Sequence, residues 1–506
     1  MTVPGSKKGA SYAKTARRGA KWSAIRQGGH ELIAIPMSMI MARLLTPNDF
    51  GVTVASTFFI QLASRLSQFG FNAALVRLKD LRPEHTSSVF VVSAVLAVTN
   101  YVVLFAAAPW IGAAFGSESA GQLVRVSALA FLASPFGSVA SALLVRGMHF
   151  QYQTLSDWTD TLVGALVTIT LAFRGWGYWS IPAGNLAATA LRVCLQMYLA
   201  GWVPSIAFSR SAMREVLSYG LGIQTKRVFE YATQNLDNVI VGRYADLTAL
   251  GFYDKAFSTM NRVVNRLTLG QAPFRIFAVI HEDRDRFRRA YTRLILSVTM
   301  IAFPLLMSCI VVARPLFDVL YGSQWATSVM PFQVLCLGGM FKIVNNYGSQ
   351  ANEAAGAVWH QARRQAIGSV LVLVGAALGT YLMGILGAAI GVTFAMLLLT
   401  VAMQDLVRRS TDLTWGQLVA PLGPGLICGA VACVVLWATG AALDAQWPTV
   451  ASWHRLGVQG VFGLISYAGV VLLLPHPLWR EIVHETAADV LPARLARVVH
   501  RLGGHA

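Results

Sequence analysis

The stretch Thr225–Gly251, TKRVFEYATQNLDNVIVGRYADLTALG, decides how the rest of the chain is read. At helical spacing Arg227, Glu230, Gln234 and Asp237 fall on one face, and Tyr231, Asn235 and Asn238 widen it. In a soluble protein this is an ordinary solvated helix. Here the chain is 55% hydrophobic and only 13% charged over 506 residues, about half the charge of a soluble domain. A charged side chain at the centre of a lone membrane helix costs roughly 2.5–3.5 kcal/mol on insertion scales. Three of them facing lipid would cost about 8–10 kcal/mol, comparable to a whole domain's stability. The face must line a wet cavity or pair inside a bundle.

Apolar runs predict an all-α polytopic membrane protein of about fourteen spans. Their expected centres are Met37, Phe59, Val98, Leu132, Val167, Ala188, Glu230, Val263, Ile301, Phe341, Val372, Phe394, Ala432 and Leu464. The spans at Glu230 and Val263 score poorly on hydropathy alone. The net charge of +18 is distributed as a topology signal rather than as a nucleic-acid patch. Basic residues crowd the N-terminal tail, Arg77–Arg82, Arg210 and Arg214, the run HEDRDRFRRAYTR from His281, Arg363 and Arg364, Arg408 and Arg409, and the C-terminal tail. That asymmetry predicts both termini in the cytoplasm. Arg43 and Arg243 sit at span ends and are expected to snorkel to the interface. The five cysteines lie in apolar runs without metal spacing and read as small buried hydrophobes. The first 25 residues or so are basic and polar, with no apolar segment preceding a cleavage site, so no removed signal peptide is expected.

Arg43 precedes Gly51 by eight residues in ARLLTPNDFG, and Arg243 precedes Gly251 likewise in GRYADLTALG. The offset of 200 persists through Gly70 and Gly270, Gln61 and Asn261, and Arg26 and Lys226. A sustained ungapped offset across two helices and their turn marks a duplicated unit of about six spans. The expected division is a basic tail 1–21, an N-lobe 22–205, a C-lobe 206–410, two further spans 411–475 and an amphipathic tail 476–506. Gly375/Gly379 and Gly387/Gly391 are small-residue pairs that let helices approach closely.

These residues carry a resemblance: ARLLTPNDFG, VRLKDLRPEH, LVRGMHF, NLDNVIVGRYADLTALGFYDKA and YGSQW. Together they resemble the polysaccharide transporter branch of the multidrug/oligosaccharidyl-lipid/polysaccharide exporter superfamily, the lipid-linked oligosaccharide flippases. The resemblance covers about residues 22–475. It implies two six-helix lobes around a central cavity, with two peripheral helices, in the bacterial inner membrane. It also implies an undecaprenyl-diphosphate-linked repeat unit as substrate, and the first and seventh spans as cavity walls. A polysaccharide polymerase is an expected partner, and the chain is expected to act as a monomer.

Beside the resemblance, the residues propose their own site. Span two carries Gln61, Arg65, Gln68 and Asn72; span eight carries Lys255, Arg262 and Arg266 with Asn261 and Asn265. Span ten carries Lys342, Asn345, Asn346, Gln350 and Glu353. With Lys226, Arg227 and Gln234 of span seven, these offer bidentate donors to a diphosphate and amides to sugar hydroxyls. The alternative is pairing between helices, for instance Arg227 or Lys226 with Glu230 or Asp237. Glu31, Glu230 and Asp237 are the intramembrane acids available for ion coupling, or as partners of arginines. Nucleotide loops, dinucleotide fingerprints and zinc motifs are missing from the sequence, so a transporter without cofactor is expected rather than an enzyme. A small-molecule antiporter would favour an acidic or apolar lumen, and a membrane glycosyltransferase or ligase would need a large outer loop with paired carboxylates.

The topology is checked by thiol labelling in a background lacking the native cysteines. Ser323→Cys and Thr449→Cys should react with an impermeant reagent from the periplasm, and Arg286→Cys should not; labelling of the last would reverse the helix parity.

Overall fold

The computed structural model describes residues 6–67, 71–78, 80–268, 270, 272–447 and 451–473, with only the backbone course described over 6–21, 23–24, 67, 73, 217–230, 232–234 and 473. The side chains of Lys226, Arg227, Glu230, Gln234 and Gln68, and the tail 476–506, therefore lie outside the described residues.

Every one of the expected span centres falls inside a helix. The first set is α1 Ser6–Leu44, α2 Pro47–Ser67, α3 Phe71–Arg77, α4 Pro83–Ala114, α5 Glu118–Ser127, α6 Ala130–Arg146, α7 Phe150–Phe173 and α8 Ser180–Ala200. The second is α9 Arg210–Tyr244, α10 Leu247–Arg266, α11 Ala272–Ile280, α12 Arg284–Val311, α13 Ala313–Leu320, α14 Val329–Ala354 and α15 Val358–Thr411. After these come α16 Trp415–Val419, α17 Gly423–Gln446 and α18 Ser452–Leu473. Among the described residues seven stretches are long and apolar enough to cross a membrane. Neither α9 nor α10 is one of them, because their polar residues depress the hydropathy as the sequence predicted.

The duplication is visible in the helix order. Long α1 and α9 end at Leu44 and Tyr244, and α2 and α10 begin at Pro47 and Leu247. Short α3 and α11 follow, and then long α4 and α12. Each second helix also starts by the same device. Asp49 accepts the Thr46 backbone N–H at 2.9 Å while the Thr46 hydroxyl accepts that of Asp49 at 3.2 Å. In the repeat Asp246 accepts the Ala249 N–H at 2.6 Å. Both satisfy backbone donors that a helix start leaves open.

α15 is 54 residues long, about 80 Å if straight and far beyond one bilayer crossing. It is not straight. Met383 leaves helical geometry and Gly384 takes φ 60°, a left-handed turn that glycine adopts without strain. The two arms fold back on each other. A Cβ at Gly379 would overlap the Gly387 carbonyl, and one at Gly375 the Gly391 carbonyl, in both cases reciprocally. The two small-residue pairs read from the sequence are thus the halves of one backbone-to-backbone hairpin.

Contacts divide the chain into two compact units, Met1–Gly251 and Phe252–Ala506. In the first, α7 packs on α1 and α8, and α9 packs on α2, α3 and α4. Its core gathers Leu75, Val89, Phe90, Val139 and Val216. α9 thus belongs by contact to the first unit, although its sequence opens the second repeat. In the second, α14 packs on α15 and α12, and α12 on α17. Its largest fully buried side chains are aromatic, among them Trp325, Tyr253, Tyr291, Phe317 and Phe332. The cysteines are free thiols. Cys309, Cys336 and Cys428 are buried as expected, but Cys194 is exposed on α8; in a membrane bundle an apolar run has an outward face that lipid covers as readily as protein.

Within the first unit the repeat turns meet reciprocally. A Cβ at Gly51 would overlap the Leu247 carbonyl, and a Cβ at Gly251 the Pro47 carbonyl. Gly51→Leu and Gly251→Leu should each destabilise the detergent-solubilised protein by about 1–3 kcal/mol through overpacking. Gly28→Leu, with nothing within 4 Å of its Cβ, should lower the thermal midpoint little; equal losses at all three positions would discount the contact.

Candidate functional site

The first unit supplies one expected cation and several residues that the sequence reading missed. Arg65 is half-buried near the end of α2, its guanidinium 5.5 Å from the centre of the Tyr231 ring. Tyr231 in turn stacks on Phe58 at 5.9 Å and donates to its carbonyl at 3.5 Å. Gln61, a turn away, is exposed. Asp237 and Asn238 on α9 are buried, at 1% and 6% exposure. Glu31 on α1 lies 3.8 Å from the Nδ1 of His30.

Two further acids, Asp157 and Asp160 of α7, stand beside the expected Glu31, Glu230 and Asp237. Arg26 of α1 pairs with Asp157 of α7 at 3.3 Å, and Arg192 of α8 pairs with Asp160 of α7 at 3.3 Å. The Trp158 indole between those acids donates to the Arg26 carbonyl at 3.4 Å. Gly29 admits this close approach, since a Cβ there would fall on the Trp158 ring. Three helices are tied together through one DWTD sequence. The signal was present: two carboxylates three residues apart in the fifth span, and an arginine within the sixth, carry the same insertion cost as the face of span seven.

In the second unit the residues of spans eight and ten come together on α10 and α14. Lys342 donates from Nζ to the Asn261 Oδ1 at 2.7 Å and lies 5.8 Å from the centre of the Phe257 ring. Arg262 and Arg266 are exposed, one turn apart, and Asp254 of the same helix interacts electrostatically with both Lys255 and Arg262. Asn345 carries a buried Oδ1 without a hydrogen bond, and Asn346 beside it is half-buried. Gln350 lies elsewhere in its chemistry: its Oε1 accepts the Phe274 backbone N–H at 3.2 Å, fixing α11 to α14. Glu353 accepts from Gln361 at 3.3 Å.

Lys255 does not join this group. It is buried, at 5% exposure, with its Nζ 4.8 Å from the Tyr321 ring centre and 4.9 Å from that of Trp325. Thr259, one turn on, shares a hydrogen bond with the Tyr321 hydroxyl at 2.9 Å. The Ser328 hydroxyl donates to the Phe252 carbonyl at 2.8 Å. The FYDKA and YGSQW sequences are therefore the two halves of one packed joint, in which the ammonium is held against aromatic faces. Its position seven residues before Arg262 suggested a shared polar face; burial separates them.

Residues 40–330 match the polysaccharide biosynthesis protein family, more than half of the chain. The chain belongs to that family. The succinoglycan biosynthesis transport protein ExoT of Rhizobium meliloti (strain 1021) is 27% identical over 62% of this chain and 64% of its own length. The lipopolysaccharide biosynthesis protein WzxC of Escherichia coli (strain K12) is 22% identical over 92% of this chain and 95% of its own. The structure of the lipid II flippase MurJ in an inward closed conformation superposes with a TM-score of 0.72 at 13% identity, covering 91% of this chain and 99% of that one. A multidrug resistance MATE family transporter of the MOP superfamily, in an inward-facing conformation, superposes at 0.61 with 14% identity, covering 76% of this chain and 94% of that one. This family member therefore has the all-helical, multi-pass fold of the exporter superfamily that its motifs resembled.

The α7 pairs are open to a mutational cycle. Arg192→Ala leaves Asp160 without its cation and should lower the thermal midpoint more than Arg192→Ala with Asp160→Ala does. The coupling should fall at about 0.5–3 kcal/mol; strictly additive losses would mean that the two side chains act independently.

Proposed function

We propose that this protein is a flippase that moves an undecaprenyl-diphosphate-linked oligosaccharide repeat unit across the bacterial inner membrane for polysaccharide biosynthesis, by alternating access of a cationic lumen. Family membership and the names of the succinoglycan transport and lipopolysaccharide biosynthesis relatives support the cargo class. The observation that carries the reading is the α10–α14 patch. Arg262 and Arg266 are exposed one turn apart, and the Lys342 ammonium donates to the Asn261 amide oxygen beside them. Guanidinium groups exposed on a polar helix face suit an anionic ligand. Amides such as Asn345 and Asn346 suit hydroxyl-rich sugars, being donor and acceptor at once.

In this reading Arg65, Lys226, Arg227, Gln234, Arg262, Arg266, Lys342, Asn346 and Gln350 line the substrate path, with Gln350 acting by holding α11. Glu31, Glu230 and Asp237 are the acids for ion coupling, and both termini are cytoplasmic. The diphosphate is held by the cations while the prenyl tail stays in the bilayer, and a polymerase takes the unit after translocation.

Charge-assisted bonds to phosphate are worth roughly 1.5–3 kcal/mol each, so losing one should cut transport about ten- to a hundredfold. The test is complementation of a polysaccharide-deficient strain with Arg65→Ala, Arg227→Ala, Arg262→Ala and Arg266→Ala, reading export against membrane abundance. Arg→Lys should restore only part of the activity because the bidentate fork is lost. Normal export by all four alanine variants at wild-type abundance would make these cations structural.

A further inference from the structure

Where α4 meets α5, the first unit holds a groove of about 410 Å³ that no residue of the proposed substrate path lines. Ala108, Pro109 and Ala113 give it an apolar wall. Its polar rim is Glu118, Gln122 and Arg125, four and three residues apart and so on one face of α5. α4 is long and apolar enough to cross a membrane, and Val102, Val103 and Trp110 on it are exposed. The groove lies at the last turns of that span, where hydrocarbon gives way to headgroups. Trp110, 73% exposed, is the kind of side chain such a boundary favours.

The chain around the groove fixes its shape. A Cβ at Gly121 would fall 2.5 Å from the Ala108 carbonyl oxygen, so α5 lies directly on the α4 backbone. Pro109 has no N–H, which leaves the Phe105 carbonyl, four residues earlier, without its helical donor. The Arg125 Nε supplies one at 3.4 Å, and its guanidinium lies 4.7 Å from the centre of the Phe105 ring. Arg125 is thus held by a carbonyl and an aromatic face, and its two Nη atoms make no hydrogen bond to a described residue.

Glu118 and Arg125 are the charged groups lining the groove, and they are not paired with each other. The Glu118 Oε1 accepts from the Gln122 Nε2 at 2.8 Å. Its Oε2 has no hydrogen bond to a described residue, and neither charge forms an ion pair with one. Opposite charges kept apart on one rim select against a ligand of either sign alone. A simple anion would meet the carboxylate, and a simple cation the guanidinium. A zwitterion carrying a phosphate and a primary ammonium answers both: the Nη atoms donate to phosphate oxygens, and the carboxylate accepts the ammonium N–H. An acyl stem on the phosphate would cover the apolar wall.

We propose that this groove binds the headgroup of a zwitterionic phospholipid with a primary ammonium, Arg125 holding the phosphate and Glu118 the ammonium. Gln122 orients the Glu118 carboxylate, and the Pro109 kink sets Arg125 at the rim.

The test reads lipid binding without export, so it stands apart from the transport assay. The full chain is purified in detergent, and its thermal unfolding midpoint is followed against added short-chain phosphatidylethanolamine. Phosphatidylcholine and phosphatidylglycerol of the same chain length, and free phosphoethanolamine, are run beside it. Phosphatidylethanolamine should raise the midpoint saturably. Phosphatidylcholine, whose methylated ammonium has no N–H, and phosphatidylglycerol, which has no ammonium, should each need at least about tenfold more. Glu118→Gln should raise the half-saturating concentration of phosphatidylethanolamine at least about tenfold, towards that of phosphatidylcholine. Arg125→Gln should weaken all three lipids; if it does not fold, the exposed Glu118→Gln decides alone. Glu84→Gln, exposed at the other end of α4, should leave the curve unchanged. No response to phosphatidylethanolamine, equal half-saturation by either other lipid, an unshifted curve in the groove variants or an equal shift in Glu84→Gln overturns the proposal. A matching response to free phosphoethanolamine also overturns it, assigning the groove to a soluble zwitterion.

Discussion

A charge inside a membrane bundle has to be given partners, and much of this architecture follows from how each is satisfied. Where the partner is an opposite charge, the pair becomes a tie between helices. Arg26 with Asp157 and Arg192 with Asp160 join α1 and α8 to the α7 between them. Where the partner is aromatic or an amide, the cation keeps its formal charge in place. Lys255 lies against Tyr321 and Trp325, and Lys342 is held by Asn261. These solutions differ in what they leave for a ligand. An ion pair is already neutral, whereas an amide-held cation still presents positive potential to whatever approaches.

Backbone proximity is the second constraint. Without a hydrophobic force between helices in lipid, tight contact depends on small residues. The α15 hairpin shows the extreme case, four glycines in two facing pairs with a left-handed Gly384 at the turn. Gly51 and Gly251 apply the same rule to the duplicated turns. Each admits the other repeat's carbonyl, so the contact is self-complementary in the way a two-fold interface is.

The sequence exposed the helices and the duplication because both are periodic signals. Apolar runs mark spans, and a fixed offset survives as long as neither copy gains or loses residues. The Thr46 and Asp246 caps, at that same offset, show why the turn is preserved: each opens a helix. The site is less legible because polar content marks a helix as a whole and not the individual side chain within an apolar one. α9 and α10 stood out as polar stretches, while Asp157 and Asp160 sat inside an α7 whose other residues are mostly apolar. Partners were beyond reach in a further way. Nothing in the spacing of Arg26 and Asp157, 131 residues apart, says that they meet, and nothing in Gln350 says that its oxygen holds α11.

Lys255 and Arg262 make the distinction between fold and cargo concrete. They share a helix and a charge, seven residues apart, yet one is enclosed and the other exposed. The enclosed one belongs to the most recognisable motifs of the chain, FYDKA and YGSQW, which grip each other through Lys255, Thr259 and Tyr321. A motif whose side chains are spent on one another is constrained by packing, so it identifies the architecture wherever it occurs and carries no information on the sugar transported. Selectivity must then rest with residues outside such joints, where a substitution alters a ligand contact without loosening the bundle. That separation is how one helical scaffold can serve proteins of different polysaccharides.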